Sequence, residues 1–298
     1  MAQVQVVAEH DAAKRRALLA RSIFLLPGLT YITIFMLIPL GFIFFYTFLT
    51  RGTYGGVEFI FTLENYTRAL DSLYIGILIE SILIAAAATL LAFLIGFPAA
   101  YAITKLPSNW QNIFLLLIVL PFWTNFLIRT YAWIVLLNTQ GFLNKGLINM
   151  GVINQPLELL YKPGAVILGL LYAYLPLMIL PIYSALVRID PAMKEAAINL
   201  GATAAQAFRQ ITLPLALPGV LVGAIFVFVP SVGNFIVPEL LGGGKTVMVG
   251  NLIRDQFLKA RDWPFGSVLA ISMVIMLLIL FFIQARVNKS VLGEKDGQ

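Results

Sequence analysis

The residues of this chain that could do chemistry are few, and most lie near the ends of long apolar runs. The densest set is Glu195-Ala196-Ala197, then Gly201, then Ile211-Thr212-Leu213-Pro214, in a segment between two such runs. A single carboxylate beside small residues at regular spacing suits docking. Ala196, Ala197 and Gly201 let another backbone come close, and Glu195 can pair with a basic group or cap a helix on a partner. No nucleophile–base set and no carboxylate pair stands out, so catalysis has little support. The chain has no cysteine, which excludes disulfides, thiolate metal sites and a Cys nucleophile. Its one histidine, His10, stands in a polar N-terminal tail, and no metal centre is expected from it. Gly244-Lys245-Thr246 has the look of the end of a phosphate-binding loop. However, Glu239 occupies the position that the full pattern gives to glycine, and no strand precedes it. No ATP site is therefore expected in this chain.

The elements that position these residues must be covered by lipid. Apolar residues make up 60% of the sequence and charged ones 11%, against roughly half and a quarter in soluble domains. A helix needs about 20 apolar residues to cross roughly 30 Å of hydrocarbon. Ser22–Thr50, Pro163–Val187, Leu215–Val237 and Pro264–Ala285 qualify without a charge; Tyr74–Ile103 carries only Glu80 and Ile113–Leu137 only Arg129. The fold class predicted is all-α, a polytopic membrane protein of about six spans. Residues 1–21 read as a polar tail, 22–287 as one transmembrane domain and 288–298 as a second tail. The basic cluster Lys14-Arg15-Arg16 before the first span predicts a cytoplasmic N-terminus, and six spans return the C-terminus to the same side. The first apolar run is far longer than the 7–15 residues, roughly, of a signal peptide's apolar core, so it reads as a span. The net charge of +6 is spread over short loops; it fits topology and gives no reason to expect nucleic acid. Pro27, Pro39, Pro176 and Pro181 predict bends in the first and fourth spans, either ordinary ones or ones that shape a cavity.

Local signals define the segment between the fourth and fifth spans. Asp190 before Pro191 reads as an N-cap followed by proline at the first helical position, and a short helix to Leu200 follows. Gly201 can take the left-handed conformation that ends it. Thr203 and Gln206 form a capping box for a second short helix, closed by Pro214 and Pro218. Within the spans, Glu80 lies about 9 Å and Arg129 about 24 Å along their helices at 1.5 Å per residue, which places both near the outer end. Equal depth allows a salt bridge; direct substrate contact and independent snorkelling are the other readings.

The motif from Glu195 to Pro214 matches in full the cytoplasmic signature of the membrane subunits of type I ABC importers, and the chain resembles such a permease. Further stretches, Pro121 to Arg129, Pro238 to Gly243 and Asp262 to Gly266, are similar to the spermidine/putrescine permease subunits, over nearly the whole chain. The resemblance implies a location in the bacterial inner membrane. It also implies that Asp190–Pro214 is the coupling loop, with Glu195, Ala196, Ala197, Gly201, Ile211, Leu213 and Pro214 as its contact and turn residues. The loop would sit in a cleft of a cytoplasmic ATPase dimer, which holds the ATP and Mg that this chain lacks. The other implied partners are a second, different permease subunit and a substrate-binding protein outside the membrane. A polyamine cargo calls for carboxylates and aromatic faces along its path. Glu239 is the best-placed acid, with Asp255 and Asp262 behind it, and Trp123, Asn125 and Asn234 could line the passage; packing or loop solvation explains each of these residues as readily. The rival readings are an importer for another small solute, an ion-driven secondary transporter and an intramembrane enzyme. The secondary transporter would favour inverted repeats, and none is found.

Overall fold

The structure, a computed structural model, describes residues 25–293, with side chains to Arg286. The expected tail of residues 1–21 lies outside the described residues. Helix α1 (Leu25–Tyr46) leads into a hairpin of β1 (Leu49–Arg51) and β2 (Val57–Phe61), antiparallel with Arg51 opposite Val57. A short α2 (Glu64–Ala69) precedes α3 (Ser72–Ile103). Next come α4 (Ser108–Val119), α5 (Phe126–Leu137), α6 (Phe142–Asn149) and α7 (Pro163–Val187). The segment of interest holds α8 (Pro191–Asn199) and the start of α9 (Ala204–Val232). Then follow α10 (Ile236–Gly242), α11 (Val249–Leu258) and α12 (Trp263–Gly293).

The centre of the bundle is α3, α7 and α9. Ala92, Phe97 and Ala100 of α3 pack with Met178, Ile179 and Ile182 of α7 and with Ala216 and Val227 of α9. Lipid gives helices no hydrophobic reason to associate, so close van der Waals fit must hold them. The sequence supplies it with small residues: a Cβ on Gly219 would lie 2.6 Å from the Pro181 carbonyl oxygen, and one on Gly223 3.0 Å from that of Met178. A second cluster at the hairpin end joins Ile84, Val166, Leu170, Val237 and Leu241. Helix α7 runs unbroken through Pro176 and Pro181. Two π-turns, Thr33–Leu37 and Phe208–Thr212, each end directly before a proline-containing step, Ile38-Pro39 and Leu213-Pro214. Proline offers no N–H, and the wider turn takes up the irregularity.

Among the described residues five helices are long and apolar enough to span, and a sixth if a bent pair counts as one. Four spans differ from the sequence reading. The first ends at Tyr46 and not at Thr50, because Leu49 and Thr50 belong to β1. The third span is not straight: Ser108–Trp123 and Phe126–Asn149 meet at 93°. Asn125 caps α5 there, its Oδ1 accepting from the Leu127 N–H at 2.8 Å, and the new cap starts the helix in a new direction. The fifth span ends at Val232, because the chain breaks at Gly233-Asn234-Phe235 before α10. The last helix continues to Gly293, beyond the residue 288 at which the tail was expected. The two-stranded hairpin and the helices of the 138–162 and 238–263 loops were not foreseen.

Candidate functional site

The segment 190–214 closes its own backbone. Asp190 accepts from the Ala192 N–H at 2.9 Å. Gly201 has φ +91°, and the Ala202 N–H reaches back to the Ala197 carbonyl at 3.0 Å, so the helix stops in a left-handed turn. The capping box is complete: the Gln206 N–H donates to Thr203 Oγ1 at 3.3 Å and the Thr203 N–H to Gln206 Oε1 at 2.8 Å. One expectation fails, since Pro214 and Pro218 do not end the second helix. It runs on as α9 through the Phe208–Thr212 π-turn, where the Leu213 N–H bonds the Phe208 carbonyl and leaves room for Pro214. Ile211 and Leu213 sit at this turn, half-buried, and Phe208 anchors it edge-on against Phe97 and Tyr101 of α3.

What the segment leaves open is as telling. Glu195, Ala196, Gly201 and Pro214 are exposed, and among the described residues, its chain neighbours aside, nothing lies within 4 Å of a Cβ placed on Gly201. Apolar groups stand out beside them: Leu200 is 89% exposed, Met193 45% and Ile198 44%. Motif reading passed over these three; the signal was apolar residues on a short helix with no apolar neighbour to meet. Glu195 and Lys194 also border a cavity of 510 Å³ shared with Tyr101 and Lys105 at the end of α3. Gln111, which also lines it, accepts from the Tyr183 hydroxyl at 2.6 Å, which ties α7 to the start of α4.

The candidate path residues lie at the other end of α3, by the breaks after α4 and α9. Asn234 is buried; its amide donates to the Tyr174 hydroxyl at 2.8 Å, and its carbonyl accepts from the Val237 N–H at 2.8 Å. Phe126, Tyr174, Asn234 and Phe235 line a recess of 320 Å³ between the two breaks. Trp123 is 77% exposed, and Asn125 spends its carbonyl on the α5 cap. Glu239 and Asp255 are brought together through Arg254, whose guanidinium lies 2.8 Å from Glu239 and 2.7 Å from Asp255. Lys259 adds a second bond to Asp255 at 3.0 Å. Burial pushes the Asp255 carboxyl up, but the bonds from Lys259 and Arg254 outweigh it and hold the group below the usual carboxylate range. Asp262 is elsewhere: buried, paired with Arg68 at 2.7 Å and accepting from the Phe265 N–H at the start of α12.

Glu80 and Arg129 are not a pair. Among the described residues no ion pair joins them, and Glu80 is exposed. The 93° bend before α5 breaks the straight-helix count on which equal depth rested. Arg129 instead lies over the rings of Phe122, Phe126 and Tyr172, at 5.6, 5.7 and 6.0 Å. At Gly244-Lys245-Thr246, helix α10 and a turn precede the three residues, so the phosphate-loop geometry is absent there.

The chain is 40% identical over 259 residues to the spermidine/putrescine transport system permease protein PotB of Escherichia coli (strain K12), covering 87% of this chain and 94% of that one. Against the Haemophilus influenzae protein of the same name the identity is 41% over 260 residues, with 87% and 91% covered. The chain also superposes on a subunit of a bacterial alginate ABC transporter solved in complex with its pentasaccharide-bound periplasmic protein. The TM-score is 0.76 at 17% identity over 94% of this chain and 97% of that one, a likeness of fold. Residues 92–293 match the family described as binding-protein-dependent transport system inner membrane component, and the chain belongs to that family.

Proposed function

We propose that this chain is the permease subunit of an importer for polyamines of the spermidine and putrescine class, and that the 190–214 segment is its contact with the ATPase. Membership in the family already makes it an inner-membrane transport subunit of a binding-protein-dependent system and no enzyme in itself. One observation carries the coupling role. The segment satisfies its own caps and turns yet leaves Leu200, Ala196, Gly201 and Glu195 exposed, with open space around the Gly201 turn among the described residues. A rigid, self-capped element with a small-residue and apolar surface suits insertion into a cleft. Its root at the Phe208–Thr212 π-turn links it to α9 and, through Phe208, to α3. Movement of the cleft on ATP closure then acts on two of the three central helices. ATP and Mg belong to the ATPase dimer, a second permease completes the passage, and both termini lie on the cytoplasmic side.

The polyamine reading rests on the two relatives named for that transport. Glu239 and Asp255, with Asn234, Asn125 and Trp123 near the recess, are the residues proposed to line the passage. Because Arg254 shares both acids, a cation must compete with a guanidinium there. The test is ATP hydrolysis by the complete complex in vesicles, with its binding protein. Spermidine or putrescine should stimulate hydrolysis and accumulate inside. No stimulation by any polyamine would remove the cargo and leave the family assignment intact.

A further inference from the structure

Helix α1 has 22 residues, about 33 Å at 1.5 Å per residue, which crosses the hydrocarbon without help from the hairpin. Its last residue, Tyr46, packs on Trp263 at the start of α12, ring centroids 6.4 Å apart. An aromatic pair at the ends of two spans marks the hydrocarbon boundary. The hairpin begins three residues later and turns back against this level. Phe59 leans on Phe45, in the last turn of α1, at 6.5 Å, and Phe61 stacks on Phe48 at 5.7 Å with the rings 4° from parallel. Even so, Phe59 is 78% exposed and Phe61 70%, and Tyr54 at the tip is 95% exposed. No residue of α1's apolar stretch is buried within this chain either, so the hairpin's aromatic surface and that of α1 form one continuous exposed apolar face.

The opposite side of the hairpin is fixed. Arg51 donates to the Ala260 carbonyl at 2.6 Å and the Gly56 N–H to the Arg261 carbonyl at 2.7 Å. Asn65 of α2 holds β1 through the Leu49 carbonyl at 2.8 Å. The strand therefore cannot fold its rings into the protein, and at this depth the medium beside them is the headgroup–acyl boundary. We propose that the β1–β2 hairpin is a lipid anchor. Phe59 and Phe61 seat in the boundary of the leaflet at the hairpin end, and the bonds to Ala260 and Arg261 hold the turn into α12 at that depth. The occupant is phospholipid, and a protein partner is the competing outcome of the test.

The chain has no cysteine, so single nitroxide labels are unambiguous. Phe59→Cys and Phe61→Cys would be labelled in the complete complex, in vesicles of phosphatidylethanolamine and phosphatidylglycerol. Collision with oxygen, which partitions into lipid, is compared with collision with a water-soluble nickel chelate. Leu278→Cys on the exposed face of α12 and Glu158→Cys in a loop give the lipid and water references. Both hairpin labels should favour oxygen over nickel, as Leu278→Cys does, with and without the binding protein. A response like that of Glu158→Cys would overturn the anchor, as would protection from both reagents, the mark of a covering protein. If a label at Phe59 prevents assembly, Tyr54→Cys decides: oxygen above the water reference supports the anchor, and equality with it refutes the anchor.

Discussion

The two ends of the bundle treat their polar residues in opposite ways. At the 190–214 end, Asp190, Thr203 and Gln206 are all spent on backbone caps, and Glu195 is left exposed beside bare Leu200 and Ala196. At the hairpin end the acids are spent on cations of the same chain: Glu239 and Asp255 on Arg254, Asp255 again on Lys259, and Asp262 on Arg68. The first end is finished in backbone and open in side chains, which suits a fixed contact with another protein. The second is closed by ion pairs, which suits a rim whose shape must be kept and whose charges a cargo can meet only by exchange. Residue types alone do not make this distinction, since both ends offer acids, glycines and prolines.

Breaking the open end should have the largest effect. Gly201→Asp puts a side chain where φ is +91°, a strain on the order of 1–2 kcal/mol that an assembled bundle survives, and it places charge on the exposed turn. Uptake should be lost while the protein still inserts; Glu195→Ala should weaken uptake less. Co-purification of the ATPase beside transport measures both, and full transport by Gly201→Asp would refute the role of the turn. Next in size is Asp262→Asn, which removes the charge that Arg68 meets at a buried cap. Stability should fall by about 1–3 kcal/mol, read as a lower unfolding temperature of the complex. No fall would mean that the hairpin-end pairs are incidental.

Glu239→Gln should lower the initial rate of spermidine or putrescine uptake with near-normal assembly, and the deficit should shrink with added salt, since exposed charges are screened over about 8 Å. An unchanged rate would assign Glu239 to the Arg254 network alone. The pH dependence of that network follows from Asp255. A carboxyl held below its ordinary pKa stabilises the folded state above that ordinary value of about 3.9 and loses the effect as pH falls through its lowered value. The stability difference between wild type and Asp255→Asn should therefore be constant from neutral pH to about pH 4 and vanish in stronger acid. Smallest is the coupling between Glu80→Gln and Arg129→Met. With no contact between the two, their effects should add to within about 0.5 kcal/mol; a larger coupling would restore the salt bridge that the bend removes.

The sequence made some of this legible and not the rest, for physical reasons. Caps and turns are local, so Asp190, Gly201, Thr203 and Gln206 were readable from residue type and spacing, and all four do what was expected. Long apolar runs fixed the spans, and Pro163–Val187 agrees to the residue. The bend at Asn125 was hidden inside a continuous apolar stretch, since a cap within a span leaves hydropathy unchanged. The ion pairs were hidden because Glu239 and Arg254, or Arg68 and Asp262, are far apart in the chain and meet only through packing. Depth counting allowed a Glu80–Arg129 pair, beside substrate contact and snorkelling, because it assumed straight helices; the aromatic rings at Phe122, Phe126 and Tyr172 are what Arg129 meets instead.

The most direct test of the account is a crosslink from the open end. Leu200→Cys would be the only cysteine of the chain, on a side chain 89% exposed at the tip of the segment. With a short bifunctional reagent in the assembled complex, the account predicts an adduct with the ATPase subunit whose yield changes on ATP binding. No adduct from Leu200→Cys, in a complex that transports and carries its ATPase, would contradict it.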